Sequence, residues 1–387
     1  MRKRLYGAIL PVALWLFFGV VFAAAQDMKS LVKELFPTPS STGNEEALTA
    51  KIEQSLPKSA VKEKDPMGSL YARWGKGEPR LAVLTALDEY GYIVSGITPD
   101  GYLRLDRAVQ PPHPLFDSYL LGHPVMISTQ KGLLQGIVSQ PAMHLLTRER
   151  REELSKSFSL DLVFLDIGTR SEEEARAKGV EILDPVTFWP DLSELANDRW
   201  AGHALGLKTE CAVLLSIAAE LSRTKTSQEV VLGWMAQTKF PARGSRSAIG
   251  VVRAKRKLEP QAVIILNIVP AERDEKSPVL GKGPVLVQAT DQPSKLKDII
   301  EAAARAKNIQ LQYRNEFESP LITRAKGVAV TGLDSSLMTH FLDISTEVVG
   351  LALPVKFPHT PVEVVDFKDV EALKNLLQGV LAARRAK

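Results

Sequence analysis

The sequence predicts an α/β fold in which a mostly parallel sheet flanked by helices carries a small inserted β-rich domain. Three observations lead to this fold. Residues 81–87 form a continuous apolar run, as expected of a strand that is buried on both faces. After residue 192, apolar strands alternate with helices, which indicates a parallel sheet covered on both sides. Between residues 92 and 191, the chain instead favours short strands, prolines and turns.

The elements of the first half follow from local signals. The segment from Thr42 to Glu45 has the form of a capping box and predicts an amphipathic helix through residue 56. Strands at 92–97 and 102–105 are joined by a Pro-Asp-Gly turn, which predicts a hairpin. Further short strands are predicted at 125–128, 132–138 and 161–167. We assign residues 92–191 to the inserted domain.

The second half continues the α/β pattern. Residues 209–221 carry Ala, Val, Leu and Ile on most faces, which predicts a buried helix. The other predicted elements are strands at 229–236, 262–269 and 348–353 and helices at 294–307 and 368–384. The strand at 81–87 is expected in the same sheet, so residues 26–91 and 192–387 form the α/β domain.

The amino terminus has the pattern of an export signal. Arg2, Lys3 and Arg4 precede an apolar stretch that has no charge until Asp27, and small residues at 23–25 suit a signal peptidase. We expect residues 1–25 to be a signal peptide and the protein to be periplasmic or secreted, from a bacterium. The stretch is also close to the length that spans a bilayer, so an uncleaved membrane anchor is the alternative.

Composition excludes several classes of protein. A content of 45% hydrophobic and 24% charged residues is typical of globular chains and excludes disordered and polytopic membrane proteins. Without the three basic residues near the start, the chain has 46 Lys and Arg against 45 Asp and Glu, a net charge of +1. This near-neutral charge gives no support to nucleic-acid binding. The single cysteine, Cys211, excludes an intramolecular disulfide and a cysteine-based zinc site.

Six segments, in order and at matching spacing, resemble metallopeptidase family 42, the glutamyl and tetrahedral aminopeptidases. They are TALDEYG at 85–91, DGYL at 100–103, GIV at 136–138 with HLL at 144–146, DIG at 166–168 with SEEEA at 171–175, LGKGP at 280–284 and PHTPVE at 358–363. The resemblance covers nearly the whole chain after residue 25. It implies a dinuclear-metal exopeptidase domain with an inserted PDZ-like domain of the kind that mediates dimerisation.

The chemistry of this family needs two divalent metals such as zinc or cobalt, an aspartate that bridges them and a glutamate that acts as general base. Most matched positions carry other residues: Ala86 for the first His ligand, Gly206 for the bridging Asp, Thr238 for the general base, Lys239 for the adjacent Glu ligand and Asn267 for an Asp ligand. Two matched residues remain. His359 is the last His ligand, and Asp88 is the residue that orients the first His in the family.

We interpret the chain as a divergent family member that lacks most metal ligands: an exported pseudopeptidase, catalytically silent, that serves as a binding or scaffold protein. No cofactor is then expected, and Lys239 is predicted to pair with Asp88 or Asp334. The alternative is an active metal-dependent aminopeptidase with a rearranged site that uses His359, Asp88, Asp334 and a further histidine. A metal-independent hydrolase on the same scaffold is a third possibility. A peptide or small molecule in the cleft and a homodimer are the expected partners.

Four of the remaining histidines offer no metal-site spacing in the sequence: His113, His123, His203 and His340. His144, in the inserted domain, is interpreted as a structural residue. Cys211 lies within the predicted apolar helix and is interpreted as a buried thiol. The basic run at 253–257 is interpreted as a solvated helix end rather than a nucleic-acid site.

Overall fold

The computed structural model describes most of the chain from Asp27 onwards. The described residues are 27–77, 80–113, 115–140, 142–149, 151–152, 158–226, 228–240, 248–272, 274–288, 293–315, 338, 341 and 347–385. The predicted signal segment 1–25 and Asp334 therefore lie outside the described residues. Within these ranges, no helix is both long and apolar enough to cross a membrane.

Strands and helices are labelled in chain order. The strands are β1 (Val61–Lys64), β2 (Leu70–Trp74), β3 (Leu81–Ala86), β4 (Tyr92–Ile97), β5 (Leu103–Arg107), β6 (Pro124–Thr129), β7 (Gly132–Ser139), β8 (Phe164–Asp166), β9 (Pro185–Phe188), β10 (Ser193–Leu195), β11 (Arg199–Gly202), β12 (Val230–Met235), β13 (Ala262–Pro270), β14 (Val285–Gln288), β15 (Gln312–Asn315), β16 (Glu347–Val355) and β17 (Glu363–Asp366). The helices are α1 (Met28–Leu35), α2 (Glu46–Ser55), α3 (Glu172–Ala177), α4 (Leu205–Leu221), α5 (Ile249–Leu258), α6 (Lys295–Ala306) and α7 (Phe367–Arg385).

An eight-stranded sheet forms the centre of the α/β region, in the order β1-β2-β12-β3-β13-β16-β14-β15. Its four middle strands, β12, β3, β13 and β16, run parallel, whereas antiparallel pairs flank them on both sides. Ala86 at the end of β3 lies opposite Met235 at the end of β12. The carboxyl ends of the middle strands therefore meet at one edge, which is where open α/β sheets bind ligands.

Helices cover both faces of this sheet. Along β3, Leu81 and Val83 face a core built with α1, α2, α4, α6 and α7, whereas Ala82 and Leu84 face a second core that includes α5. This alternation follows from the two-residue repeat of a strand, and it explains why the run is apolar at every position. The predicted α/β fold is confirmed.

The segment between β3 and β10 contains a closed barrel of six strands in the order β4-β5-β8-β7-β6-β9. Its core contains Val94, Leu103, Val125, Ile127 and Val138. The predicted hairpin is confirmed, because β4 and β5 pair antiparallel. The PDZ-like comparison and the role in dimerisation stay predictions.

A small sheet connects two distant parts of the chain beside the strand ends. β11 lies between β10 and β17, and Gly202 pairs with Glu363. This pairing places the beginning of α4 next to the loop that contains His359. Both segments thereby reach the edge at which the middle strands end.

The predicted capping box is wrong. Helix α2 begins at Glu46, and its N-cap Glu45 makes no side-chain capping bond to the helix. The Thr42 hydroxyl instead donates to Asp88 Oδ2 at 3.0 Å, and Glu45 Oε1 accepts from the Gly43 N–H at 3.0 Å. A buried carboxylate needs donors, and here it takes the hydroxyl that would otherwise cap the helix.

Candidate functional site

A cleft lies where β3, β12 and β13 end. It is narrow, with room for the centres of water-sized molecules over only about 30 Å³, and part of it is open to solvent. The residues that line it come from the strand ends, the start of α4, the loop before β17 and the barrel: Ala86, Asp88, Glu89, Tyr90, Phe116, His203, Ala204, Leu207, Glu210, Lys239, Leu266, Asn267, Ile268, His359 and Glu363.

Asp88 is fully buried in the wall of the cleft, and four donors saturate its carboxylate. Oδ1 accepts from the backbone N–H of Thr238 at 3.0 Å and from the Thr238 hydroxyl. Oδ2 accepts from the backbone N–H of Lys239 at 2.9 Å and from the Thr42 hydroxyl. These bonds tie the loop after β12 to the end of β3, so Asp88 acts as a structural anchor.

Lys239 points into the protein rather than into solvent, with 5% of its side chain exposed. Its ammonium donates to the backbone carbonyl of Asp88 and lies 4.0 Å from Asp88 Oδ1. The same group lies 5.2 Å from the centre of the Tyr90 ring, within reach of a cation–π contact. This geometry agrees with the predicted pairing of Lys239 with Asp88, whereas Asp334 lies outside the described residues.

Glu89 is the second buried carboxylate of the cleft. Its Oε1 accepts from the Ser40 N–H at 2.7 Å and lies 3.7 Å from Lys208 Nζ, while Oε2 lies 3.2 Å from His203 Nε2. Burial raises the pKa of Glu89, but the Lys208 ammonium and His203 outweigh it, so the pKa falls to about 2. Glu89 is therefore ionised at neutral pH.

Lys208 supplies a second buried ammonium, with 1% of its side chain exposed. It donates to the carbonyl of Thr38 at 2.7 Å and to the Ser40 hydroxyl at 2.6 Å. Two ammonium groups, on Lys208 and Lys239, thus accompany the adjacent carboxylates Glu89 and Asp88.

Glu363 links the start of α4 to the loop before β17. Its Oε2 accepts from the Gly206 N–H at 3.0 Å, and its Oε1 accepts from the His359 N–H at 2.7 Å. A carboxylate suits this position because the first N–H groups of a helix have no partner within the helix. Burial nevertheless raises the pKa of Glu363.

The structure brings the matched positions of the family together at this cleft. Ala86, Lys239, Asn267 and His359 line it, and Gly206 and Thr238 bond to the carboxylates behind it. His359 packs edge-on against Tyr90 with ring centres 5.4 Å apart. Asn267 Oδ1 accepts from the Ile268 N–H at 2.8 Å, so this amide oxygen already serves the backbone.

These residues do not fit a pair of divalent metals. Ala86 and Gly206 have no side-chain donor, and Lys239 places a cation where a metal ligand would be needed. The space beside Gly206 is also filled, since a Cβ there would come within 2.5 Å of Ile268 Cγ2. Within the described parts of the chain, no three His, Cys, Asp or Glu side chains form a group that could hold a metal ion.

Sequence reasoning missed His203, Glu210 and Glu363 as residues of the cleft. His203 directly follows β11, Glu210 lies in α4, and the pairing of β11 with β17 brings these segments near Glu363. The one sequence signal was the presence of Lys208 and Glu210 near the start of a largely apolar helix, because charged residues are rarely buried without partners.

Three non-glycine residues at or beside the cleft have left-handed backbone conformations. The φ angles are 50° at Ala204, 54° at Gln237 and 61° at His359. Each such residue costs about 1–2 kcal/mol, and such strain clusters at functional sites. These three residues hold the loops around the cleft in conformations that side chains rarely adopt.

The sequence model of the M42 glutamyl aminopeptidase family matches residues 68–376. A protein of Escherichia coli (strain K12) named as a candidate aminopeptidase, FrvX, is 27% identical over 332 residues, which are 83% of this chain and 85% of that protein. Lysyl aminopeptidase of Pyrococcus furiosus is 26% identical over 360 residues, covering 91% of this chain and 96% of its own.

Solved structures show the same fold. A TET aminopeptidase from a marine sediment archaeon of the Thaumarchaeota has a TM-score of 0.74 at 23% identity and covers 92% of this chain and 95% of its own. The TET1 peptidase of Pyrococcus horikoshii, which can assemble into a tetrahedron or a large octahedral shell, has a TM-score of 0.73 at 22% identity, covering 92% of this chain and 99% of its own. With a family match over most of its length, the chain belongs to the M42 glutamyl aminopeptidase family.

Proposed function

We propose that this protein is a catalytically silent member of its family, a pseudopeptidase whose cleft binds a ligand or serves as a scaffold. The observation that carries the proposal is Lys239. Its ammonium stands at the matched position of a metal-binding glutamate and is held inside the protein by Asp88. No cofactor is expected in this cleft.

Charge balance supports the proposal. Buried carboxylates without a counter-cation repel one another and have a large desolvation cost. Here Lys239 accompanies Asp88 and Lys208 accompanies Glu89, so this pair of carboxylates is compensated without a metal. The substitutions therefore form one coherent set, because both the loss of acidic ligands and the gain of Lys239 reduce the buried negative charge that a metal would otherwise neutralise.

Metal content tests the proposal directly. The purified protein is dialysed against zinc and then against buffer, and bound metal is counted by mass spectrometry. We expect close to zero metal per chain, and two per chain would overturn the proposal. Lys239→Gln provides a matched variant, which we also expect to be metal-free because Ala86 and Gly206 still supply no ligand.

Peptidase activity gives the second measurement. We expect no release of product from an aminoacyl anilide, with or without added zinc or cobalt. Metal-stimulated hydrolysis would instead establish the alternative, an active aminopeptidase with a rearranged metal site. Turnover that resists chelators would establish a metal-independent hydrolase.

One observation favours the rearranged site as a second candidate. The cleft retains two histidines, His203 and His359, beside the carboxylates of Glu89, Glu210 and Glu363. Against it, Glu89 already accepts from the Ser40 N–H and lies 3.2 Å from His203 Nε2, and both oxygens of Glu363 accept backbone N–H groups. A metal would have to displace these partners.

We extend the proposal to export and assembly. Residues 1–25 would direct the chain to the bacterial periplasm or the medium, and residues 92–191 would form a PDZ-like domain that joins two copies. Cell fractionation with amino-terminal sequencing should find Gln26 first, and an uncleaved chain in the membrane fraction would show an anchor instead. Light scattering should give a dimer, whereas a larger particle would resemble the assemblies described for the TET1 peptidase.

A further inference from the structure

The edge of the eight-stranded sheet opposite the cleft is rich in basic residues. Val230 at the start of β12 and Ala262 at the start of β13 both lie opposite Leu81 at the start of β3, so the amino ends of these parallel strands meet there. The end of α5 lies at the same edge, because the Arg80 guanidinium donates to the carbonyl of Leu258. The segment that follows α4 also reaches this edge, since it leads directly into β12.

Eight basic and four acidic residues of the described chain lie at this edge, which we call the basic edge. The basic ones are Arg73, Lys76, Arg80, Arg223, Lys225, Lys255, Arg256 and Lys257, and the acidic ones are Glu63, Glu220, Glu229 and Glu259. The basic edge thus has a net charge of +4, whereas residues 26–387 as a whole have +1. The carboxyl ends of α4 and α5 contribute about half a negative charge each, which leaves a positive excess.

The excess positive charge of the basic edge is exposed. Glu229 forms ion pairs with Arg73, at 3.0 Å, and with Arg80, and Glu63 forms one with Lys257, so these acids are already engaged. Three exposed cations form no ion pair with any described residue: Lys76, Lys225 and Arg256. These groups are therefore available to external anions.

The arrangement of these charges favours an extended anionic surface over a single small anion. The strands β2, β12, β3 and β13 are neighbours, so the segments at their ends span about 15 Å along the sheet. Helices α4 and α5 pack on opposite faces of the sheet, which spreads the charges in the second direction. The two aromatic residues of β2, Tyr71 and Trp74, are buried, so this strand presents no ring on which nucleobases could stack. An anionic bilayer therefore fits the basic edge better than a single-stranded nucleic acid does.

The basic edge and the cleft lie at opposite ends of the same strands. Ala262 begins β13 at the basic edge, and Asn267, five residues later, lines the cleft. At about 3.3 Å per residue, the two are separated by about 17 Å along the strand. A surface that binds the basic edge therefore leaves the cleft open to solution.

We propose that the basic edge binds the surface of a bilayer that contains anionic phospholipids and holds the cleft towards solution. Lys and Arg side chains near such a surface are attracted by the phosphate groups and by the negative surface potential. The attraction falls off within about one Debye length, so binding is reversible and weakens as salt rises. This property is independent of metal chemistry and goes beyond the proposed pseudopeptidase function.

Sedimentation with lipid vesicles tests the inference. The chain from Gln26 is used, because the described fold begins at Asp27 and the apolar stretch before Gln26 would itself enter a bilayer. At about 0.05 M salt, we expect vesicles of equal parts phosphatidylglycerol and phosphatidylcholine to bind about tenfold more protein than vesicles of phosphatidylcholine alone. This difference should disappear at about 0.5 M salt. Equal binding to both vesicles, a difference that persists at high salt, or tighter binding to duplex DNA at the same phosphate concentration would overturn the inference.

A pair of charge reversals locates the contact. Lys225→Glu with Arg256→Glu changes two exposed residues and lowers the net charge of the basic edge from +4 to zero, since each reversal removes two charges. Arg170→Glu with Lys178→Glu gives the matched control, because it changes the total charge equally at exposed residues of the inserted domain. We expect the first pair to reduce binding to anionic vesicles about tenfold and the control to retain most of it. An equal loss in both variants would overturn the inference, since total charge rather than the basic edge would then drive binding.

Hydrogen–deuterium exchange in the presence of vesicles tests the orientation. We expect slower exchange in the loops at 75–77 and 222–226 when anionic vesicles are present, and unchanged exchange in the cleft loop at 356–362. The reverse pattern would mean that the cleft faces the bilayer and would overturn the inference. Such a failure leaves the pseudopeptidase proposal untouched, because that proposal depends on metal content and peptidase activity alone.

Discussion

The cleft has two regions that differ in what they retain. Five positions matched to metal-site residues, Ala86, Gly206, Thr238, Lys239 and Asn267, carry side chains unsuited to metal chemistry. Behind them, Asp88, Glu89 and Glu363 are buried, and each is held by two or more hydrogen bonds or charges. We call these three carboxylates and the groups that bond to them the supporting region. The comparison shows that this region has its own structural role, which does not depend on a metal.

The largest expected effect comes from the supporting region. Asp88→Ala removes the acceptor for two backbone N–H groups and two hydroxyls and leaves Lys239 as a buried ammonium without its carboxylate. Breaking a buried pair in this way costs about 3–5 kcal/mol. We expect a loss of that size in the free energy of unfolding, measured with urea.

An exposed aspartate of the barrel gives the control. Asp106→Ala should change the free energy of unfolding by less than about 0.5 kcal/mol. If Asp88→Ala lowered the free energy of unfolding no more than this control does, Asp88 would not be a structural anchor.

Acid should weaken the protein through Glu89. The pKa of Glu89 is about 2 in the fold because Lys208 and His203 outweigh burial, whereas an unfolded chain has a value near 4.5. This difference contributes about 3 kcal/mol of stability, fully present above pH 4.5 and lost as pH falls towards 2. Unfolding by urea at several pH values should show this loss.

Glu89→Gln separates this effect from general acid unfolding. The variant should be less stable at pH 7, and its stability should depend less on pH between 4.5 and 2 than that of the wild type. Glu46→Gln, an exposed glutamate of α2, should retain the wild-type pH dependence. Equal pH dependence in both variants would contradict the assignment to Glu89.

A smaller effect on stability is expected at Gly206, the position matched to the bridging Asp of the family. Gly206→Ala places a Cβ within 2.5 Å of Ile268 Cγ2, and overpacking of this kind costs about 1–3 kcal/mol. Ile268→Ala removes the Cγ2 methyl, so the double variant should lose less stability than the sum of the two single changes, which a double-mutant cycle measures. Strictly additive changes would show that Ile268 does not fill the space beside Gly206.

The sequence predicted the fold well because its signals are local. The uninterrupted apolar run of β3 and the buried face of α4 follow from periodicity. The positions around Ala86, Lys239 and Asn267 came from the resemblance, and the fold places them at one cleft. Lys239 beside Asp88 could be predicted because a buried ammonium needs a carboxylate nearby.

Other features depend on contacts between distant segments and left no local pattern. His203 and Glu363 are 160 positions apart in the chain, and only the pairing of β11 with β17 brings their segments together. The capping box failed for the same reason, since Thr42 bonds to Asp88, which is 46 residues away. Tertiary demand for donors overrode a local preference in that case.

The smallest expected effect tests whether the supporting region still carries excess negative charge. Burial, and then the charge of Asp88, raise the pKa of Glu45 to about 7, so the ionised form is disfavoured in the fold. The contribution of Glu45 to stability is then highest at low pH and declines as pH rises from about 4.5 to 7. Glu45→Gln retains an oxygen to accept from the N–H groups of Gly43 and Gln237 but removes the charge.

We therefore expect Glu45→Gln to stabilise the protein at pH 8 by less than the roughly 3 kcal/mol to which the pKa difference corresponds, because the new amide N–H group also needs an acceptor, and to have a smaller effect at pH 5. Urea unfolding at the two pH values measures the difference, with Glu46→Gln as the neighbouring exposed control. A gain that is equal at both pH values would point to packing rather than charge. A lower free energy of unfolding for Glu45→Gln at pH 8 would mean that the ammonium groups of Lys208 and Lys239 already overcompensate the carboxylates. The charge balance on which the comparison of the two regions rests would then be reversed.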